Sequence, residues 1–260
     1  MHETTPAVFL IARPSVDLDG MRAYLERVGG ASWLAMRERE AAVPDGELLA
    51  EFAGRICYRS WEPGLNPNVT RIRTDRQAYF ANVLESHHGS VLEHASYSFA
   101  FRSVSRVFSH ELVRHRAGSA FSQESLRYVR LSEIGFRVPP ALGPLRHRVL
   151  AIVEQLEEFQ RDAAAELGLD EGGIEFAVKK EITSALRRLA PIGLSTDILW
   201  TANVRTLRHV IEMRTAPAAE EELRLVFDQV AQIMREEAPA LFQDFERRDD
   251  GSWVPRWRKV

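Results

Sequence analysis

The densest concentration of side chains that could do chemistry lies between His87 and Arg130. Five of the eight histidines fall within it. From Arg102 onward it holds six arginines against two glutamates, a local net charge of +4 in a chain whose net charge is −3. Guanidinium, hydroxyl and amide groups around Gly118 are what an anion-binding loop needs. The stretch therefore predicts a site for a phosphate-bearing small molecule, with a solvated basic surface as the alternative.

Two other arrangements of reactive side chains give weaker indications of a site. His110 and His115 are five residues apart, about 140° around a helix, whereas paired zinc-ligating histidines on a helix are four apart. We therefore predict no metal site. Cys57 lies between two arginines and could be a nucleophile with a lowered pKa. A buried, inert cysteine is the favoured interpretation.

Composition excludes several classes of protein. The 260 residues are 45% hydrophobic and 27% charged, as in ordinary soluble globular proteins. The single cysteine excludes an internal disulfide framework. The longest apolar run, Ala7–Ala12, is far shorter than the ~20 residues of a membrane helix, and no basic segment precedes it as in a signal peptide. We expect a cytoplasmic protein with no membrane partner and, given its net charge, no nucleic-acid partner.

The elements that must position the reactive stretch begin with short helices and strands. Apolar periodicity and turn residues predict a buried strand at Ala7–Ala12, helices at 19–28, 45–55 and 75–87, and a loop at 63–68.

Next to the reactive stretch, residues 95–102 alternate between apolar and polar types. We predict a strand there, with Tyr97, Phe99 and Phe101 on one face. Ser103 or Ser105 would then cap a helix that ends near Arg114. A polar loop, 117–124, is expected to follow.

The later half of the chain is predominantly helical. Apolar residues recur with the helical period over 149–159, 174–189 and 223–234. Between the last two helices, Ser195–Thr201 is predicted to form a strand, and Asn203 to cap a helix that ends near Arg214. Because strands and helices do not alternate regularly, we favour an α+β fold in one domain, with a small, mostly antiparallel sheet packed with several long helices.

Three motifs along the chain together form a recognisable signature. The central one is Arg114-His115-Arg116, followed by Ser125 and Arg127-Tyr128. Upstream lies His88-Gly-Ser-Val-Leu-Glu-His94, and downstream lie Asn203-Val-Arg205, His209 and Arg214. In this order the motifs resemble those of the flavin-dependent thymidylate synthase family.

The resemblance has one departure. Eight residues, 117–124, separate Arg116 from Ser125, one more than in the commoner form of the signature. Residues 1–50 correspond to a family-variable N-terminal extension and 247–260 to a C-terminal tail, both within one domain that covers 1–260.

The resemblance implies a homotetramer with active sites at subunit interfaces. Each site would bind FAD and dUMP, with 5,10-methylenetetrahydrofolate giving the one-carbon unit and NADPH reducing the flavin to yield thymidylate. Carried over by position, the cofactor-binding residues would be Ser90, Arg114, His115, Arg116, Asn203, Arg205 and His209, with His88, Glu93 and Gln123 nearby. The substrate-binding residues would be Glu111, Arg114, Gln123, Glu124, Ser125, Arg127, Arg187 and Arg214.

In the same resemblance Arg214 is the catalytic residue. A fixed guanidinium stabilises the negative charge that must build on the pyrimidine ring, and it does not compete as a proton donor. Ser125 is interpreted as a substrate-positioning hydroxyl, because no base is evidently placed beside it.

The helical period separates the polar residues of the downstream helix. Arg205 and His209 share a face, whereas Arg214 lies about 180° from Arg205. The helix is thus predicted to present polar groups to two different surroundings, as at a subunit interface; a surface arginine at a helix end is the alternative for Arg214.

Two other functions remain open from the sequence. One is a Cys57-dependent methyl or one-carbon transferase that works without flavin. The other is a nucleotide- or RNA-binding module that uses the basic segment 102–130.

Overall fold

The centre of the molecule is a four-stranded antiparallel sheet. The computed structural model of the chain describes residues 1–40 and 42–260. The strands are β1 (His2–Glu3), β2 (Ala7–Ala12), β3 (Ser96–Ser105), β4 (Ser119–Gln123), β5 (Gly135–Phe136), β6 (Ser195–Asn203), β7 (Phe245–Arg247) and β8 (Trp253–Pro255). The central sheet has the strand order β2-β3-β6-β4. Two short pairs accompany it, β1 with β5 and β7 with β8.

α-Helices cover one face of this sheet. They are α1 (Leu18–Val28), α2 (Ala31–Arg37), α3 (Asp45–Tyr58), α4 (Arg76–Glu85), α5 (Arg106–Leu112), α6 (Arg146–Glu166), α7 (Phe176–Leu186), α8 (Val204–Thr215) and α9 (Glu221–Glu237). The predicted α+β fold is confirmed. In the described part of the chain, no helix is both long and apolar enough to cross a membrane.

The main core lies between the sheet and the pair α8 and α9. Tyr97, Phe99 and Phe101 alternate inward along β3, as predicted, and all three are buried. The ring of Trp200 on β6 lies 6.0 Å from that of Phe101 and 5.6 Å from that of Phe227 on α9. Burial of each such side chain is worth about 1.5–3 kcal/mol, so the sheet and these helices stabilise one another.

Strand β2 has the predicted bounds but is not buried. It is an edge strand, and only Val8 and Leu10 pack against the core. Phe9 and Ile11 point to the other side and are 48% and 59% exposed. The prediction of a buried strand was wrong because an apolar run does not reveal that one face of the sheet lacks a cover in the single chain.

The predicted polar loop at 117–124 is also wrong for most of its length. Ser119–Gln123 forms β4, which pairs with β6 from Ser119 opposite Ala202 to Gln123 opposite Ile198. Its partner strand follows more than 70 residues later, so no local pattern in this hydroxyl-rich segment indicated the pairing.

Most predicted helices occur with shifted ends. Asp75 caps α4, which stops at Glu85, so His87 lies beyond the helix with a φ of 57°. Ser105 caps α5, which ends at Leu112 rather than near Arg114. Helix α2 was not predicted. Asn203 caps α8 by accepting a hydrogen bond from the backbone N–H of Thr206, as predicted.

The N-terminal helices α1–α3 form a second core. The rings of Trp33 and Trp61 lie 5.1 Å apart, tilted by 52°, within an apolar cluster. Beneath them, buried Glu51 accepts hydrogen bonds from Arg37, Arg55 and the indole of Trp33. Because α3 also packs on the main body, the N-terminal residues are an integral part of the fold.

Candidate active site

The central and downstream motifs meet at a cavity of about 620 Å³, called here the first cavity. Its walls come from the turn after α5, from α8 and from the segment after β8. The predicted site residues that line it are Glu93, Arg114, His115, Arg116, Asn203, Arg205 and His209. Five arginines and two glutamates line the cavity in all, so it favours an anionic ligand.

Gly118 allows the turn after α5 to approach the start of α8. Its φ is +65°, and a Cβ there would lie 2.3 Å from Nδ2 of Asn203 and 2.5 Å from Oγ1 of Thr206. The backbone N–H of Asn203 donates to the Gly118 carbonyl, and the Thr206 hydroxyl donates to the Ala117 carbonyl at 2.7 Å. Only glycine fits this conformation and this contact without strain.

The upstream motif forms the opposite wall through Glu93. Glu93 accepts a hydrogen bond from Arg205, whose Nε also donates to the carbonyl of Val260 at 3.2 Å. Ser90 follows Gly89, the backbone of which lies against Arg205. The ring nitrogen Nε2 of His88 instead lies 3.0 Å from the Tyr58 hydroxyl. In the described part of the chain, neither Ser90 nor His88 lines the first cavity.

A second cavity, of about 780 Å³, lies along the C-terminal half of α8. Arg214 lines it, together with residues of the β7–β8 connection. His209, Glu212 and Arg258 line both cavities. The two surroundings predicted for this helix are therefore present, but they adjoin each other.

Arg214 is joined to the turn of the first cavity by direct contacts. Its Nε donates to Nε2 of His115 at 2.8 Å, and its Nη1 donates to the carboxylate of Glu111 at 2.6 Å. The His209 ring lies 6.0 Å from that of His115. Burial, then the charge of Arg214, lowers the pKa of His115 to about 4, so this imidazole is neutral at physiological pH.

The remaining predicted substrate residues lie elsewhere on the chain. Gln123 and Glu124 stand at the far end of β4, about 16 Å along a five-residue strand from the first cavity. Arg187 lines a separate cavity of about 300 Å³ between α6 and α7. In the described part of the chain, Ser125 and Arg127 line neither cavity that contains His209. A single chain therefore does not bring these predicted substrate-binding residues to Arg214.

Cys57 is exposed, so the prediction of a buried cysteine was wrong. It lies near the end of α3, about 160° around the helix from buried Arg55. Neighbouring Ile56 and Tyr58 are exposed as well. The general preference of free cysteines for buried positions therefore does not hold at the end of this helix.

The sequence analysis missed the contribution of the C-terminal segment. Trp257, Arg258 and Val260 line the first cavity. Buried Arg208 of α8 holds this segment, since it pairs with Asp244 at 2.7 Å and donates to the Trp257 carbonyl. The local signal for a binding role was Trp257 between Arg256 and Arg258. This pattern does not show which surface of the protein the segment covers.

Comparison with known proteins decides the family. The profile of the thymidylate synthase complementing protein family matches residues 40–240. The chain belongs to this family. It is 34% identical over 220 residues to a flavin-dependent thymidylate synthase of Corynebacterium diphtheriae, covering 82% of this chain and 85% of that one. It is 35% identical over 206 residues to those of Mycobacterium tuberculosis and Mycobacterium avium, covering 77% of this chain and 80% of each relative. The predicted family, and with it the prediction of an enzyme, is confirmed.

Proposed function

We propose that this flavin-dependent thymidylate synthase family member converts dUMP to dTMP. It would use 5,10-methylenetetrahydrofolate as carbon donor and FAD reduced by NADPH. The observation that carries the proposal is that parts of three motifs, far apart in sequence, meet at one positively charged cavity that is joined to Arg214. These parts are Glu93, Arg114-His115-Arg116, and Asn203 with Arg205 and His209.

The residues of the first cavity fit FAD. Its volume of about 620 Å³ is within the range of cofactor sites. Arg114, Arg116 and Arg205 supply guanidinium groups for a diphosphate, and the bare backbone of Gly118 permits close approach. Asn203, His209 and Glu93 would add polar contacts. The other residues of the proposed set, Ser90, His88 and Gln123, lie outside this cavity in the single chain. When bound, the flavin supplies the hydride that no side chain can supply.

Arg214 would act on the pyrimidine. Its fixed charge would stabilise the negative charge that builds on the ring when N3 ionises and C5 becomes nucleophilic. The other predicted substrate-binding residues would hold the phosphate and sugar. They are Glu111, Arg114, Gln123, Glu124, Ser125, Arg127 and Arg187.

Two copies of the chain are needed to complete this site. In one chain Ser125 and Arg127 are remote from Arg214, so we propose that they bind the nucleotide of a neighbouring subunit. A homotetramer would also cover the exposed apolar residues Ile152 and Phe159 of α6. The active sites would then lie at subunit interfaces.

The test is a reconstituted reaction with the purified protein. We expect an oxidised-flavin absorption spectrum and dTMP formation that requires dUMP, NADPH and methylenetetrahydrofolate together. Cys57→Ala should retain this activity, because the flavin route needs no thiol adduct, whereas a thiol mechanism would lose several orders of magnitude in kcat. A colourless protein that binds RNA in a salt-dependent manner would instead support the binding-module alternative.

A further inference from the structure

The guanidinium of Arg214 is held by α5 and by the turn that follows it. Nε donates to Nε2 of His115 at 2.8 Å, Nη1 to Oε2 of Glu111 at 2.6 Å, and Nη2 to the Glu111 carbonyl at 3.2 Å. A guanidinium has five N–H groups. Two therefore remain, one on each terminal nitrogen, available to a planar acceptor.

The hydrogen bond from Arg214 defines the protonation state of the His115 ring. The Nε–H of Arg214 is always a donor, so Nε2 of His115 must accept and carries no proton. The imidazole is then the neutral tautomer with its proton on Nδ1. His115 lies in the turn between α5 and β4, outside the apolar cores, so its side chain is not needed for the core.

We propose that His115 is a positioning residue, which as a neutral acceptor fixes Arg214 so that its two remaining N–H groups meet the pyrimidine ring of dUMP. The proposal rests on the proposed function and deepens it. His115 lines the first cavity and Arg214 the second, so this hydrogen bond links the proposed flavin site to the proposed nucleotide site.

The surroundings keep His115 neutral. It faces Arg214 and His209 from α8, and both lower its pKa in addition to burial. Other charged groups line the same cavity or contact Arg214. They are Glu93, Glu111, Arg114, Arg116, Arg205, Arg208, Glu212 and Arg258.

Kinetics with three variants separate positioning from cofactor binding. His115→Leu removes the acceptor at similar size, His115→Gln keeps an acceptor oxygen, and His110→Gln, at an exposed position of α5, is the matched control. At saturating dUMP we expect His115→Leu to lower kcat about 10- to 150-fold with a smaller change in KM, the scale of a hydrogen bond to a charged group. His115→Gln should recover most of the loss, and both variants are assayed at saturating FAD, so that the change in kcat is measured on the flavin-loaded enzyme. An unchanged kcat in His115→Leu would overturn the proposal, as would equal losses of bound flavin in both His115 variants.

Histidine NMR of the ¹⁵N-labelled protein tests the contact without turnover. We expect His115, assigned by its absence in His115→Gln, to be the Nδ1–H tautomer at pH 6.5. Arg214→Met should raise its pKa towards 6.5, and His110→Gln should leave it unchanged. A wild-type His115 that titrates near 6.5 and does not respond to Arg214→Met would contradict the proposal. This measurement does not depend on whether the Arg214→Met protein binds flavin. If the protein made no dTMP while these signals held, the proposed function would fail and the Arg214 contact would stand.

Discussion

Gly118 is the single residue on which the approach of the motifs most depends. An added Cβ would overlap Asn203 and Thr206, and the positive φ of Gly118 itself costs about 1–2 kcal/mol for other residues. We expect Gly118→Ala to displace the Asn203 cap, to lower the melting temperature and to reduce the flavin absorbance of the purified protein. Gly143→Ala is the matched control, since a Cβ there meets nothing within 4 Å. Equal behaviour of the two variants would show that the close contact is unimportant.

The lowered pKa of His115 also has a consequence for stability. Its pKa is about 4 in the folded protein and about 6.5 in the unfolded chain. Between these values the unfolded chain binds more protons, so this group removes stability as the pH falls from 6.5 towards 4. We expect the melting temperature of His115→Gln to fall less between pH 7 and pH 5 than that of the wild type. An identical fall would mean that His115 is not the group responsible.

At the scale of elements, the C-terminal segment is held against α8 by the Arg208–Asp244 pair. Both side chains are buried, and Arg208 also packs over the Phe245 ring at 4.9 Å. Removal of one partner of a buried pair leaves an uncompensated charge and costs about 3–5 kcal/mol.

We therefore expect Asp244→Ala to lower the free energy of unfolding by about 3–5 kcal/mol. It should also speed cleavage by trypsin after Arg256 and Arg258, whose side chains are exposed but whose backbone is held in place. Chemical denaturation and limited digestion measure the two effects. Arg247→Ala is the control, because the Arg247 side chain is exposed and an ion pair made by an exposed side chain contributes little to stability. A tail that resists trypsin in Asp244→Ala would show that other contacts hold it.

At the scale of the whole molecule, the single chain leaves apolar surface uncovered. Ile152 and Phe159 are seven residues apart on one side of α6 and are 58% and 44% exposed. Phe9 and Ile11 are exposed on the uncovered face of the sheet. Such patches are typical of surfaces that associate.

We expect light scattering to give a mass four times the 29.5 kDa of one chain. Phe159→Asp should lower this mass and the activity together, since it places a charge in the proposed interface without entering a core. Glu158→Gln, at an exposed neighbouring position, should change neither. A folded, active monomer would contradict the proposal that two chains complete each site.

Local patterns in the sequence were sufficient for much of the framework. The alternation of Tyr97, Phe99 and Phe101 predicted β3, and Asn203 predicted the start of α8. These features depend on the period of the backbone and on side chains that bond within a few residues. The family itself could be predicted, because the motifs are stretches of contiguous sequence.

Only the tertiary structure decided which residues meet. His115 and Arg214 are 99 residues apart, and β4 became a strand because β6 pairs with it. The exposure of Phe9 and Cys57 likewise depends on what covers each face, which an apolar or polar neighbour in sequence does not show. Burial and long-range hydrogen bonds are properties of two surfaces together, so the pattern of one segment does not determine them.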